Sequence, residues 1–251
     1  MLPLSTVIIT LNEEKRVKET LESVKWCDEI IVLDSCSTDK TLEICKEYPN
    51  CKVFTEKFRG YGEQKRHAIS LASNNWILSI DADEVVTEEL QLEIRNTLNE
   101  NRISDISGFE IPITLVFLGK IFNYGRENRM PHLRLFNRNF GNFNDTNVHE
   151  EIKLTGRISC LKGQILHNSF EDLHHYFEKF NEYTTKLAVK MEKTGRKISR
   201  FSVIIRFPFD FLKLYFVYGN FLNGYAGFVW STLSTFYRFV KFNKYFEMKH
   251  K

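Results

Sequence analysis

Two carboxylates one residue apart, Asp81 and Asp83 in Asp81-Ala82-Asp83-Glu84, are the clearest sign of chemistry in this 251-residue chain. They follow the apolar run WILSI, so both would stand at a strand terminus and converge on one divalent cation. Hard oxygen ligands suit Mg2+ or Mn2+. Such a cation, bound to a diphosphate, offsets the charge that builds on a departing nucleotide. An acidic triplet is also a common surface turn; its place after a buried strand is what favours the chemical reading.

A second group, Asp34-Ser35-Cys36-Ser37-Thr38-Asp39, also closes an apolar run and opens a helix. Ser37, Thr38 and Asp39 have the side chains that cap orphan amides, with Ser37 or Thr38 expected as the cap. Capping leaves Asp34 unexplained, and it would sit at a strand end where it can accept from a base N–H or a ribose hydroxyl.

The elements that must position these groups read as alternating strands and helices. STVIIT (5–10) and EIIVLD (29–34) have the β-branched composition of strands buried on both faces. A helix is expected over 13–25, with Val17, Leu21 and Val24 on one side. Another starts near Asp39, a strand covers 52–55, a helix 60–73 and a fourth strand 76–80. This alternation implies βαβ units and a parallel sheet, whose carboxyl edge is where open α/β folds bind ligands. From about Ser107 the strand-like pieces (108–114, 132–136, 164–167) are joined by longer polar loops, and after Glu171 the sequence turns helical.

Five cysteines form no CxxC pair, and no His/Cys spacing matches a structural zinc site. No signal peptide is evident, and a reducing, cytoplasmic setting is expected. Residues 186–251 hold 13 Lys/Arg against 3 Asp/Glu, whereas the first 185 hold 22 against 29, so a basic tail follows an acidic body. That asymmetry predicts an anionic surface as the tail's partner.

In order, STVIITLNEE, IIVLDSCSTDKT, GYGEQKRHA and WILSIDADE resemble the inverting family 2 glycosyltransferases of GT-A fold. The closer likeness is to the bacterial lipopolysaccharide core β-glucosyltransferase group, and it continues through HLRLFNR, Val148-His149-Glu150 and ILHNSF. Neither GxGxxG nor a P-loop lysine motif occurs, and no nucleic-acid partner is expected. The resemblance implies an α/β GT-A catalytic domain over 1–170 and a C-terminal helical extension over 171–251. It implies that Thr10, Asp34 and Arg66 hold the nucleotide of a UDP-sugar, that Asp81 faces the ribose or the metal's outer sphere, and that Asp83 ligates the metal. His67 stands where the family often has Asn.

An inverting transfer also needs a base to deprotonate the acceptor. Glu150 matches that position, with Glu151 and Asp145 as nearby competitors. His167 matches a histidine that completes metal or diphosphate binding, the alternative being an ordinary core or surface histidine. Arg126, Arg129 and Arg134 form a cluster in sequence suited to phosphate, Arg134 foremost. UDP-glucose as donor and a lipid-linked core oligosaccharide as acceptor follow from the resemblance.

Residues 201–246 contain 17 of the 35 aromatic residues, and no formal charge lies between Lys213 and Arg238. Asn220, Asn223 and the glycines at 219 and 224 break this stretch, so a membrane-spanning helix is not expected. Aromatic faces flanked by Arg238, Lys241 and Lys244 suit helices in the headgroup zone. The other reading is that these aromatics cover the catalytic domain. The expected location is peripheral, on the inner face of the cytoplasmic membrane. Two rival functions stay open: a sugar-nucleotide nucleotidyltransferase, which lacks its Gly-rich loop here, and a non-catalytic membrane-bound glycan-binding protein.

Overall fold

A computed structural model describes residues 2–99, 103, 105–144, 151–195 and 198–249. The chain divides into two compact units, 1–114 with 129–167, and 115–128 with 168–251.

In the first unit the four β-branched runs form parallel neighbours: β1 (Leu4–Thr10), β2 (Glu29–Asp34), β3 (Cys51–Thr55) and β4 (Trp76–Asp81), in spatial order β3-β2-β1-β4. The chain moves outward from β1 to β3 and then returns to the other side of β1, which makes β1/β4 a topological switch point. Beyond β4 the sheet turns antiparallel through β8 (Met130–Asn137) and β6 (Ile106–Phe117), then reaches β12 (Ile165–His167) and β5 (Glu84–Val86). β11 (Arg157–Cys160) lies parallel to β6, and β9 (Gly141–Phe143) pairs with β10 (Ile152–Leu154).

Period-two alternation sends side chains to two layers. Ile8, Ile30, Val32, Leu78 and Ile80 pack with α1 (Val17–Val24) and α4 (Glu88–Asn99). Val7, Ile31, Leu33 and Ile77 pack with Ala68 and Ile69 of α3 (Tyr61–Ser70). α4 and β5 occupy a stretch that the sequence pattern left unassigned, although Leu90, Ile94 and Leu98 recur every four residues on its buried side.

Two helix starts differ from expectation. α1 begins at Val17 rather than near Glu13, because the amides of Asn12, Glu13 and Glu14 are taken by the side chains of Ser37, Thr41 and Asp39. α2 (Thr41–Lys46) is not capped by Ser37 or Thr38. Ser37 instead turns back to Asp34, and Asp39 accepts from Thr41 N at 3.0 Å.

The second unit joins the distal part of β6 and its hairpin partner β7 (Lys120–Ile121) with α5 (Leu173–Lys193), α6 (Arg200–Leu212) and α7 (Gly224–Met248). Phe117, Phe170, Tyr176 and Trp230 meet mostly edge to face in its core. The break expected at 219–224 is a 3-10 turn over Asn220–Asn223 between Gly219 (φ 77°) and Gly224 (φ 66°). At Gly227 a Cβ would come within 1.8 Å of the Asn220 carbonyl, so only glycine lets α7 close onto that turn. Among the described residues no helix is long and apolar enough to cross a membrane.

Candidate active site

Strand register brings three sequence-selected residues to one edge of the sheet: Thr10 lies beside Asp34 on β2, and its neighbour Ile9 lies beside Asp81 on β4, one position back on the α3 side. All three stand at the carboxyl edge. Thr10 is buried, and its Oγ1 has no hydrogen-bond partner among the described residues. Asp34 is fully buried and accepts from Ser37 twice, from the amide at 2.8 Å and from the hydroxyl. A carboxylate has further lone pairs, so this leaves acceptor capacity. The loops after β1 and β2 are bound to one another, with Asn12 Oδ1 accepting from Thr38 N at 2.9 Å. Both contain a non-glycine residue at positive φ, Asn12 at 54° and Cys36 at 68°. Such backbone costs about 1–3 kcal/mol and persists only where surroundings enforce it.

Around the Asp81–Glu84 turn the charges interlock. Lys65 Nζ lies 2.9 Å from Asp81 Oδ1, and Arg134 Nη2 donates to Asp81 Oδ2 at 3.1 Å and to Glu84 Oε1 at 2.6 Å. The other Glu84 oxygen accepts from the Asp81 amide at 2.9 Å. Asp83 faces His167 Nε2 at 3.4 Å on one oxygen and Arg16 Nη1 at 3.5 Å on the other. Burial would raise the Asp81 pKa, but Lys65 and Arg134 outweigh it and lower the value. Burial works against Asp83 too, and the bond to His167 still leaves it lowered. For Glu84 burial dominates and raises the pKa, with Arg134 opposing it. His167 is pushed down by burial and up by Asp83, with a net rise.

Whether these groups fit a divalent cation turns on the donor set. Among the described residues no cluster of three or more His, Cys, Asp and Glu side chains could hold a metal alone. Asp81 has a cation at each oxygen. Asp83 and His167 converge as one oxygen and one nitrogen donor, and His167 reaches that place because β12 pairs with β5, setting His167 opposite Glu84. Two protein ligands suit a hard cation that takes its remaining ligands from phosphate oxygens and water.

Three residues of this network were not singled out from sequence. Lys65 shares the buried face of α3 with Ala68 and Ile69, at helical spacing three and four, and that spacing was a readable signal. Glu84 was adjacent to the recognised pair, and Arg16 carried no local mark. The expected arginine cluster is divided. Arg126 lies over the Tyr218 ring at 5.4 Å in the second unit, and Arg129 donates to the Lys162 carbonyl. Only Arg134 joins the acidic corner, because a β8 position facing β4 carries it there.

Arg66 Nη1 donates to the Asn144 carbonyl at 2.6 Å, and the preceding Lys65 sits over the Phe143 ring at 5.4 Å. α3 thereby ties the end of β9 to Asp81. Asn144 N in turn donates to the Glu151 carbonyl at 2.9 Å. Glu150 and Asp145 lie outside the described residues. His67 pairs with Glu56 at 3.1 Å.

A parallel sheet with a carboxylate-lined switch point is a frame that binds ligands at its carboxyl edge. The Glycosyl transferase family 2 model matches residues 5–153, and the chain belongs to that family. It is 33% identical to an uncharacterized glycosyltransferase of Rickettsia typhi over all of this chain and 89% of that protein. It is 30% identical to the lipopolysaccharide core biosynthesis glycosyltransferase LpsC of Rhizobium meliloti, over 98% of this chain and 93% of LpsC. The crystal structure of S. aureus TarS 1–349 in complex with UDP superposes with a TM-score of 0.53 at 18% identity, covering 97% of this chain and 89% of that one. That likeness shows the fold, which is GT-A.

Proposed function

We propose that the chain is an inverting, metal-dependent hexosyltransferase that carries a sugar, glucose by family resemblance, from a UDP-sugar to a lipid-linked core oligosaccharide. The single observation that carries this reading is the gathering of Thr10, Asp34 and Asp81 at the carboxyl edge of the switch point, followed by the Asp83–His167 pair. The likeness to LpsC supports the acceptor class. Residues 1–170 are the proposed catalytic region and 171–251 the proposed membrane-associating one, with the inner face of an anionic membrane as partner.

In the proposed reaction Thr10 and Asp34 receive the base and ribose, and Arg66 stands along the nucleotide. Asp83 and His167 would hold Mg2+ or Mn2+, which would offset the charge appearing on UDP. Asp81 keeps Arg134 and Lys65 oriented within reach of the same anion. Glu150 takes the proton of the acceptor hydroxyl as that oxygen bonds to the anomeric carbon. The bond from that carbon to the diphosphate breaks on the opposite face, UDP leaves, and the configuration inverts. The assignment of Glu150 as base over Asp145 or Glu151 rests on the family resemblance.

The test is UDP release from a panel of UDP-sugars with lipid-linked core acceptors, in Mg2+ or Mn2+ and in EDTA. Metal-restored turnover with one hexose donor and an inverted anomeric product is the expected result. Binding of UDP-sugar without turnover on any acceptor would favour the glycan-binding protein.

A further inference from the structure

α6 is apolar on two opposite sides, and only one of them is covered. Val203 and Leu214 are 4% and 2% exposed, and between them Phe207 meets Phe239 at 5.3 Å and Asp210 pairs with Arg238 at 3.1 Å. At 3.6 residues per turn, the opposite side carries Phe201, Ile204, Ile205, Phe209 and Leu212, all exposed, with Phe209 at 64%. A helix apolar all round belongs in an apolar environment, yet this side stays largely exposed among the described residues. The exposed surface continues past α6 to Val217, 74% exposed, and to Tyr225 in the first turn of α7, 76% exposed. Arg206 and Lys213 project along one border of the stripe and Arg200 along the other. Long basic stems at such borders let the charged heads reach phosphate while the stripe sinks.

We propose that the outer stripe of α6 and the segment 216–225 that leads into α7 form a wedge that inserts below the headgroups of an anionic bilayer, with Arg200, Arg206 and Lys213 at headgroup level. This rests on the membrane reading above and specifies apolar insertion rather than adsorption by the tail lysines. The charge pattern selects a bilayer over a second copy of this chain: like-charged borders repel across a two-fold interface but complement anionic lipid.

The experiment is flotation of the full chain with vesicles of phosphatidylethanolamine and phosphatidylglycerol, and with phosphatidylcholine alone. It compares wild type, the triple variant Ile204→Glu/Phe209→Glu/Val217→Glu, and Arg206→Gln/Lys213→Gln. UDP binding and sedimentation without lipid are recorded for each. The wedge predicts at least ten-fold weaker vesicle binding for the triple variant with UDP binding unchanged, a smaller loss for the charge variant, and monomers throughout. A Phe209→Trp variant should be quenched by lipids brominated in the acyl chain. Equal flotation of wild type and the triple variant would overturn the wedge and leave the membrane reading standing. Failure of wild type to float would overturn both, as would a wild-type dimer that the triple variant dissociates.

Discussion

At the carboxyl edge of the parallel strands Asp81, Asp83 and Glu84 are drawn into the protein and met by Lys65, Arg134, Arg16 and His167 within 3.5 Å. Along α6 the reverse holds, and large apolar side chains are turned outward and largely exposed. Each region departs from the ordinary rule that apolar groups are inside and charges outside. The first compensates within the molecule, by pairing. The second has no such compensation among the described residues, and the proposed bilayer would supply it. Buried charge therefore marks where the protein holds itself ready, and exposed apolar surface marks where it expects company.

The largest effect that would sharpen this contrast is on rate. Glu150→Gln should lower transfer by about 10²–10⁴-fold, the usual contribution of a positioned base, with UDP-sugar affinity unchanged. Single-turnover assays decide it, and wild-type rates would remove Glu150 from that role. Next comes stability of the acidic corner. Arg134→Met leaves Glu84 buried without its cation, which should cost about 3–5 kcal/mol in urea unfolding.

How much of this was legible beforehand depends on distance along the chain. The four parallel strands could be read because each is a β-branched run that both layers bury. Asp34, Asp81 and Thr10 could be read because they end such runs. The pairing of Lys65 with Asp81 joins residues 16 apart, and that of Arg16 with Asp83 joins residues 67 apart. No local pattern encodes such pairs. The same limit misplaced the start of α1: the amides of Asn12, Glu13 and Glu14 just before it are held by side chains about 25 residues away. The proximity of Arg126, Arg129 and Arg134 in sequence likewise said nothing about which strand face each would take.

A third prediction uses a buried carboxylate at the opposite edge of the sheet. Glu29 is hydrogen-bonded by Lys52 at 2.7 Å, by Ser5 at 2.5 Å and by the Ser73 amide at 2.7 Å. Burial opposes ionisation, yet these bonds bring its pKa down from 4.5 to about 2. A depressed folded value stabilises above the unfolded value and is lost as pH falls. Glu29→Gln should therefore cost on the order of 3 kcal/mol at neutral pH. The deficit should shrink from about pH 4.5 downward and close near pH 2. A deficit constant across that range would show that Glu29 acts by shape alone. The smallest effect belongs to the outer face of α6: Phe209→Ser should change stability by no more than about 0.5 kcal/mol, as expected for a largely exposed side chain. A larger loss in thermal melts would mean that the stripe is covered within the protein.

The most direct test of the central claim, that Asp83 anchors the cation opposite the UDP diphosphate, is calorimetric titration of UDP into wild type and Asp83→Ala with Mn2+ and with EDTA. The account predicts that Mn2+ strengthens binding to wild type at least ten-fold and leaves Asp83→Ala at the EDTA level. Equal enhancement by Mn2+ in both proteins, or none in wild type, would contradict it.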